Sequence, residues 1–123
     1  AYSMYISTLN KLVLAFNTGT WADITLGATT LTNGTYYVLA GWYDGANAKV
    51  YVNGAQDGTA GKSGTIVNTT GVASIGGYNT SFSSQEYLNG DILEITMYNR
   101  ALNVGELSRL TRYLSRKYGI AVS

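Results

Sequence analysis

The chain contains no cysteine, no histidine and no proline among its 123 residues. Without cysteine there is no disulfide framework, no thiolate metal site and no cysteine nucleophile. Without histidine the commonest general base and the commonest metal ligand are missing, which excludes a histidine-based hydrolase triad and a typical zinc enzyme. Seven carboxylates remain: Asp23, Asp44, Asp57, Glu86, Asp91, Glu94 and Glu106. Charged residues make up only 12% of the chain, about half of the usual ~25%. No stretch approaches the ~18 apolar residues of a membrane span. No basic segment followed by an apolar run reads as a signal peptide either. Composition therefore argues against most enzymes before any motif is sought.

What is present is aromatic and small: 11 Tyr and 15 Gly, with Thr, Ser and Asn filling the place of charge. The length suits one domain, residues 1–123, with no linker and no internal repeat. The net charge of +1 gives no global field to steer a polyanion. Its distribution is uneven. Residues 1–99 carry three Lys against six carboxylates, whereas 100–123 carry Arg100, Arg109, Arg112, Arg116 and Lys117 against Glu106 alone.

The first three-quarters read as strands. Tyr2–Ser7, Leu12–Asn17, Trp21–Leu26, Tyr36–Tyr43, Ala48–Asn53 and Asp91–Tyr98 are the longer candidates. Thr65–Asn68 and Val72–Ile75 are shorter ones. Turn signals such as Asn17-Thr18-Gly19, Asn33-Gly34 and Asn53-Gly54 recur every ~8–12 residues, the spacing of a sandwich or barrel. One helix is well marked over 104–118. Asn103 can cap it and Glu106 completes a capping box. Val104, Leu107, Leu110, Leu114 and Tyr118 follow at helical spacing, and Gly119 stands where a C′ glycine belongs.

Residues 36–53 carry the strongest hairpin signal. A four-residue turn at 44–47 sets Tyr43 opposite Ala48, Gly41 opposite Val50 and Leu39 opposite Val52, an apolar inner set. The other face pairs Trp42 with Lys49, Ala40 with Tyr51 and Val38 with Asn53. A Trp beside a Tyr and a Lys on an open sheet face can stack on a sugar ring, while Lys49 and Asn53 bond its hydroxyls. It can equally be a covered cation–π pair packed beneath a loop or helix. Residues 77–89, GYNTSFSSQEYLN, read as a loop whose Tyr78, Asn79, Phe82 and Tyr87 resemble the aromatic and amide mix of binding surfaces. The competing reading is a loop whose rings tuck under the rim.

Three blocks carry a resemblance. Residues 36–54, YYVLAGWYDGANAKVYVNG, hold Tyr43-Asp44-Gly45 and Tyr51-Val52-Asn53-Gly54. Residues 75–77 are Ile-Gly-Gly. Residues 88–107, LNGDILEITMYNRALNVGEL, hold Tyr98-Asn99-Arg100-Ala101-Leu102 followed by Glu106. In this order they resemble the laminin-G-like and pentraxin-like domains of the concanavalin A-like lectin/glucanase superfamily. Two departures stand out. Tyr36 occupies a position where the family often has Trp, and Leu93-Glu94 replaces an Asp-Glu pair, which weakens a transferred calcium site. The matched pattern begins partway through the family's domain. That implies a trimmed jelly roll or one completed by another segment, with self-association at an unpaired edge as the hazard.

The resemblance implies an all-β fold, an antiparallel jelly-roll-like sandwich with one C-terminal helix. It implies a non-catalytic binding or adhesion module, with a glycan or glycoprotein as partner, at an extracellular, cell-surface or virion location. The alternatives are a structural or assembly domain of a virion, fibre or surface protein, and an accessory domain of a glycoside hydrolase. Catalysis by Asp91 and Glu94 fails on geometry, since a spacing of three in a strand puts them on opposite faces. Retaining glycosidases need two carboxyls ~5–5.5 Å apart. No cofactor is expected. Calcium has few oxygens to hold it, for no D-x-D-x-D-G loop is present. The sequons at Asn33, Asn68 and Asn79 are what chance gives in so Asn- and Thr-rich a chain. Arg109, Arg112 and Arg116 share a helix face opposite the leucines, a solvated stripe first and a polyanion or partner site second. Neither nucleic acid nor membrane insertion is expected.

Overall fold

A computed structural model describes residues 1–68, 70, 73–81 and 84–123. Among these, two three-stranded antiparallel sheets pack face to face, as the all-β sandwich reading requires. The first has the order β1 (Tyr2–Ile6), β2 (Leu12–Asn17), β3 (Trp21–Leu26). The second has the order β4 (Leu39–Tyr43), β5 (Asn47–Val52), β6 (Ala55–Gly61).

The central strand of the first sheet is apolar on both faces. Leu12, Leu14 and Phe16 join the core with Leu31, Ala48, Val50 and Val52. Val13 and Ala15 point the other way, level with Tyr5 and Ser3 on β1, and are also buried. Strand β5 alternates instead. Ala48, Val50 and Val52 are buried, while Lys49 and Tyr51 remain half-exposed, the period-2 pattern of a sheet with one face on the core. The Phe16 and Tyr43 rings meet at 4.4 Å across the layers. A Cβ on Gly58 would lie 2.5 Å from the Leu26 carbonyl oxygen, so glycine lets β6 come close to β3. Asp57, also on β6, accepts from the Thr29 backbone N–H and hydroxyl and so ties the β3 exit to the second sheet.

The hairpin register is the expected one, from Tyr43↔Ala48 to Leu39↔Val52 and from Trp42↔Lys49 to Ala40↔Tyr51. Asp44 closes its turn by accepting from Ala46 N and Asn47 N at 2.9 and 2.6 Å. Asn53 and Gly54, at φ 50° and 88°, form the two-residue turn into β6. Strand β4 is shorter than Tyr36–Tyr43, because Val38 bonds the Asn53 turn: Asn53 N donates to the Val38 carbonyl at 2.7 Å and Val38 N to Asn53 Oδ1 at 2.9 Å.

Helix α1 spans Val104–Tyr118 with the full capping box of Asn103 and Glu106, and Gly119 is left-handed at φ 69°. Beyond it the chain returns to the sheet, where Ser123 N donates to the Asn53 carbonyl at 2.9 Å. Thr111 is the buried residue of the helix, and it packs on Gly54. A Cβ at Gly54 would stand 3.1 Å from Thr111 Cγ2 and 3.0 Å from the Ser123 carbonyl oxygen. Gly54→Ala is therefore expected to destabilise by about 1–3 kcal/mol, through left-handed strain and the helix contact together. Thermal melts check this, and an unchanged melting temperature would show that the helix does not seat on this turn.

Five segments differ from the sequence reading. Residues 77–89, expected as a loop, contain the hairpin β7 (Gly77–Ser81) and β8 (Ser84–Tyr87). Strand β6 was not expected. Among the described residues, Asp91–Tyr98 joins no ladder, nor does Thr65–Asn68, although Val67 N donates to the Asn17 carbonyl at 2.7 Å. The candidate Val72–Ile75 is no strand over 73–75, and Val72 lies outside the described residues. A segment with β-forming side chains becomes a strand only where a neighbour takes its N–H and C=O groups. Side chains anchor 91–98 instead: Tyr36 Oη donates to Asp91 Oδ2 at 3.0 Å, and Lys117 Nζ donates to Glu94 Oε2 at 2.8 Å.

A candidate binding face

The outer face of the β4–β5 hairpin carries the side chains singled out from sequence. Trp42 and Lys49 lie opposite one another, with Lys49 Nζ 4.9 Å from the ring centre. The chain returns over this pair. Trp42 Nε1 donates to the Leu102 carbonyl at 2.8 Å, just before α1, and the ring is half-buried. Tyr51 is half-exposed next to it, and burial pushes its phenol up from the ordinary value. Asn53 is occupied by architecture, since its Oδ1 takes Val38 N and its carbonyl takes both N and Oγ of Ser123. The covered reading of Trp42 thus describes its surroundings, and Asn53 serves the turn. Lys49 and Tyr51 are the members of the set that keep half-exposed polar ends.

The second group sits on the β7–β8 hairpin. Tyr78 and Asn79 are in register with Glu86 and Gln85. Tyr87 ends β8 opposite Gly77 and is 70% exposed. Phe82 lies outside the described residues.

Five of the seven carboxylates hold the fold. Asp44 closes a turn, Asp57 clasps Thr29, Asp91 accepts from Tyr36, Glu94 accepts from Lys117 and Tyr118, and Glu106 caps α1 while pairing with Arg100. The Lys117 ammonium and the Tyr118 hydroxyl hold the Glu94 carboxyl below its ordinary value. A general acid needs the opposite shift. Among the described residues no three metal-ligating side chains cluster.

Glu106 gives a pH prediction. The Arg100 guanidinium first, and the Asn103 backbone N–H second, lower it from 4.5 to about 2. The folded chain favours its ionised form, so its contribution is complete above 4.5 and is lost as pH falls toward about 2. Glu94 and Asp44 shift in the same direction. Stability measured by denaturant titration is expected to fall across this window, and less steeply in Glu106→Gln. Identical slopes in the two proteins would remove Glu106 from the account.

Sequence reasoning gave little weight to the outward side of α1. Arg109, Arg112, Tyr113, Arg116 and Lys117 line an open groove of about 610 Å³ there. The signal was present in the spacing of the arginines, but most such stripes are only solvated.

The laminin-G-like profile of the concanavalin A-like lectin/glucanases superfamily matches residues 1–108. A solved structure, the S-layer domain-containing protein (residues 221–444) of Clostridium thermocellum, is similar with a TM-score of 0.58 at 19% sequence identity. The match covers 90% of this chain and 63% of that one, so the chain spans less than two-thirds of that structure. At such identity the likeness is one of fold. No curated protein matches the chain.

Proposed function

This chain belongs to the concanavalin A-like lectin/glucanase superfamily, in its laminin-G-like branch, and we propose that it is a non-catalytic module that binds carbohydrate outside the cell or on a surface. The observation that carries the reading is the use of its carboxylates: five of seven are spent on turns, caps and clasps. Rings and cations are among the groups exposed to solvent, Tyr87, Tyr113 and Arg112 for example. On the hairpin, Lys49 and Tyr51 are the ligand-facing pair, above a Trp42 fixed from behind by Leu102. The β7–β8 hairpin with Tyr87 supplies a second aromatic element. Fold alone does not choose among the functions this sandwich hosts.

The test is retention on a panel of immobilised neutral and acidic polysaccharides. Binding that weakens in Tyr51→Ala and Lys49→Ala, with melting temperatures near wild type, is expected. A folded wild type that no polysaccharide retains would overturn the reading. For the non-catalytic half, release of reducing sugar that disappears in Glu94→Gln would do so.

A second reading has its own observation. Leu88, Ile92, Leu93, Ile95, Met97 and Tyr98 all expose large apolar surface on one segment. An assembly domain, in which this segment meets another chain, accounts for them directly. The S-layer fold neighbour is compatible with that reading.

A further inference from the structure

We propose that the outward face of α1 is a docking strip for a linear acidic polysaccharide, gripped by Arg109, Arg112 and Arg116 beside the ring of Tyr113. The choice of a sugar polymer rests on the carbohydrate-binding reading above; the strip itself rests on four observations.

The first is concentration of charge. The chain has eight cationic side chains, and four of them line this one groove. The second is that none of the three arginines forms a salt bridge among the described residues, although Arg109 adds to the field that holds Glu106 ionised. The ion pairs among the described residues are Arg100–Glu106 and Lys117–Glu94. Arg109 and Arg112 reach only carbonyls of their own helix, Gly105 and Ser108, each at 3.4 Å. Like charges at such spacing cost a helix some stability, which the basic residues of its last turn offset at the C-terminus.

The third is shape. From Arg109 to Arg116 the helix rises about 10 Å, and the groove along it is open rather than enclosed. An open row of like charges fits an extended chain with a repeating negative charge. Arginine forks suit carboxylate or sulfate groups bidentately, which lysines do not. The fourth is the ring. Tyr113 is half-exposed, and its hydroxyl accepts from Lys117 Nζ at 3.1 Å while that ammonium lies 5.4 Å from the ring centre. Lys117 is itself held by Glu94. The ring is thereby fixed at the strip's edge, where it offers a flat face to sugar C–H groups.

An anionic membrane surface fits less well. The side of α1 opposite the arginines is turned to the protein through Thr111 and Gly54, so it has no free apolar face to lay in a bilayer.

The experiment is affinity electrophoresis in polygalacturonate, dextran sulfate, neutral dextran, poly-glutamate and single-stranded DNA, with wild type and R109Q/R112Q/R116Q. Circular dichroism confirms that the variant is folded. Wild type is expected to be retarded by polygalacturonate and dextran sulfate. The triple variant is expected to lose at least about tenfold in affinity, with the log–log salt slope smaller by about 2–3, one phosphate-like contact per arginine. R109K/R112K/R116K is expected to recover only part of the binding. Unchanged retardation in the glutamine variant overturns the strip. So does equal or stronger retardation by poly-glutamate or DNA, which would assign it to another polyanion. Retention by neutral dextran alone, lost in Tyr51→Ala and indifferent to the arginines, overturns the strip while leaving the carbohydrate-binding reading in place.

Discussion

Replacing Trp42 by alanine is expected to cost about 3 kcal/mol and to lower the melting temperature by roughly 10 °C. The ring is half-buried, so the cost falls at the lower end of the ~3–5 kcal/mol seen for truncated core aromatics. Part of it is the Leu102 carbonyl, which loses the donor that now stands at 2.8 Å, a loss of about 1 kcal/mol. Part is the Lys49 ammonium, which loses the ring beneath it at 4.9 Å. The damage reaches the helix, because Leu102 immediately precedes the Asn103 cap. Trp42→Phe keeps most of the apolar area and loses the N–H, so its expected cost is about 1 kcal/mol. Scanning calorimetry of both variants, beside the polysaccharide panel, separates support from contact. A melting temperature within about 2 °C of wild type in Trp42→Ala, together with complete loss of polysaccharide retention, would make the ring a sugar platform and overturn its supporting role.

Trp42 also shows how far the sequence could be read. Alternation around a turn at 44–47 was enough to set its direction and its partner Lys49. What pairing could not supply was the return of the chain over that face, because Leu102 is 60 positions away. The same division holds elsewhere. Strands β2 and β3 have the expected bounds because LVLAFN and WADITL are bordered by turn residues. Helix α1 has the expected bounds because cap, capping box and C′ glycine are all local signals. Strand β6 was illegible because AQDGTAG has no apolar alternation. Its place comes from the Asn53-Gly54 turn, from backbone bonds to β5 and from glycine at the close approach to β3. Asp57 looked like any acid in a turn-rich stretch, and only the fold brings it to Thr29. The segment 91–98 fails in the opposite sense. Its β-forming residues promise a strand, and no neighbour among the described residues completes one. Of the candidate site, the Trp42–Lys49 pair was legible. So was the placing of Asn53 opposite Val38, whereas its bond to Ser123 was not, since that partner lies at the far end of the chain.

Concentration-dependent association of the wild-type chain is expected from that unladdered segment, and Ile95→Lys/Met97→Lys is expected to weaken it about a hundredfold. Ile95 and Met97 are 49% and 67% exposed, on a segment with no ladder partner among the described residues. Leu93, at 46%, shares their alternate positions. Large exposed apolar side chains on an unpaired segment are the kind of surface that natural edges avoid by charge or coverage. Covering the exposed half of an Ile or Met recovers about 1–1.5 kcal/mol. Two such residues therefore supply about 2–3 kcal/mol, the hundredfold stated. A lysine at each position instead places like charges across any contact between two copies, and lysine is the commonest guard of exposed edges. Glu94 stays engaged with Lys117 and Tyr118 in the variant, so the anchor of the segment on α1 is untouched and the fold is expected to persist. Light scattering over a concentration series reads the association, and amide exchange reads the segment. A wild type that stays monomeric throughout, with amides of 91–98 protected as well as those of β5, would mean that the chain satisfies this segment by itself and would overturn the expectation.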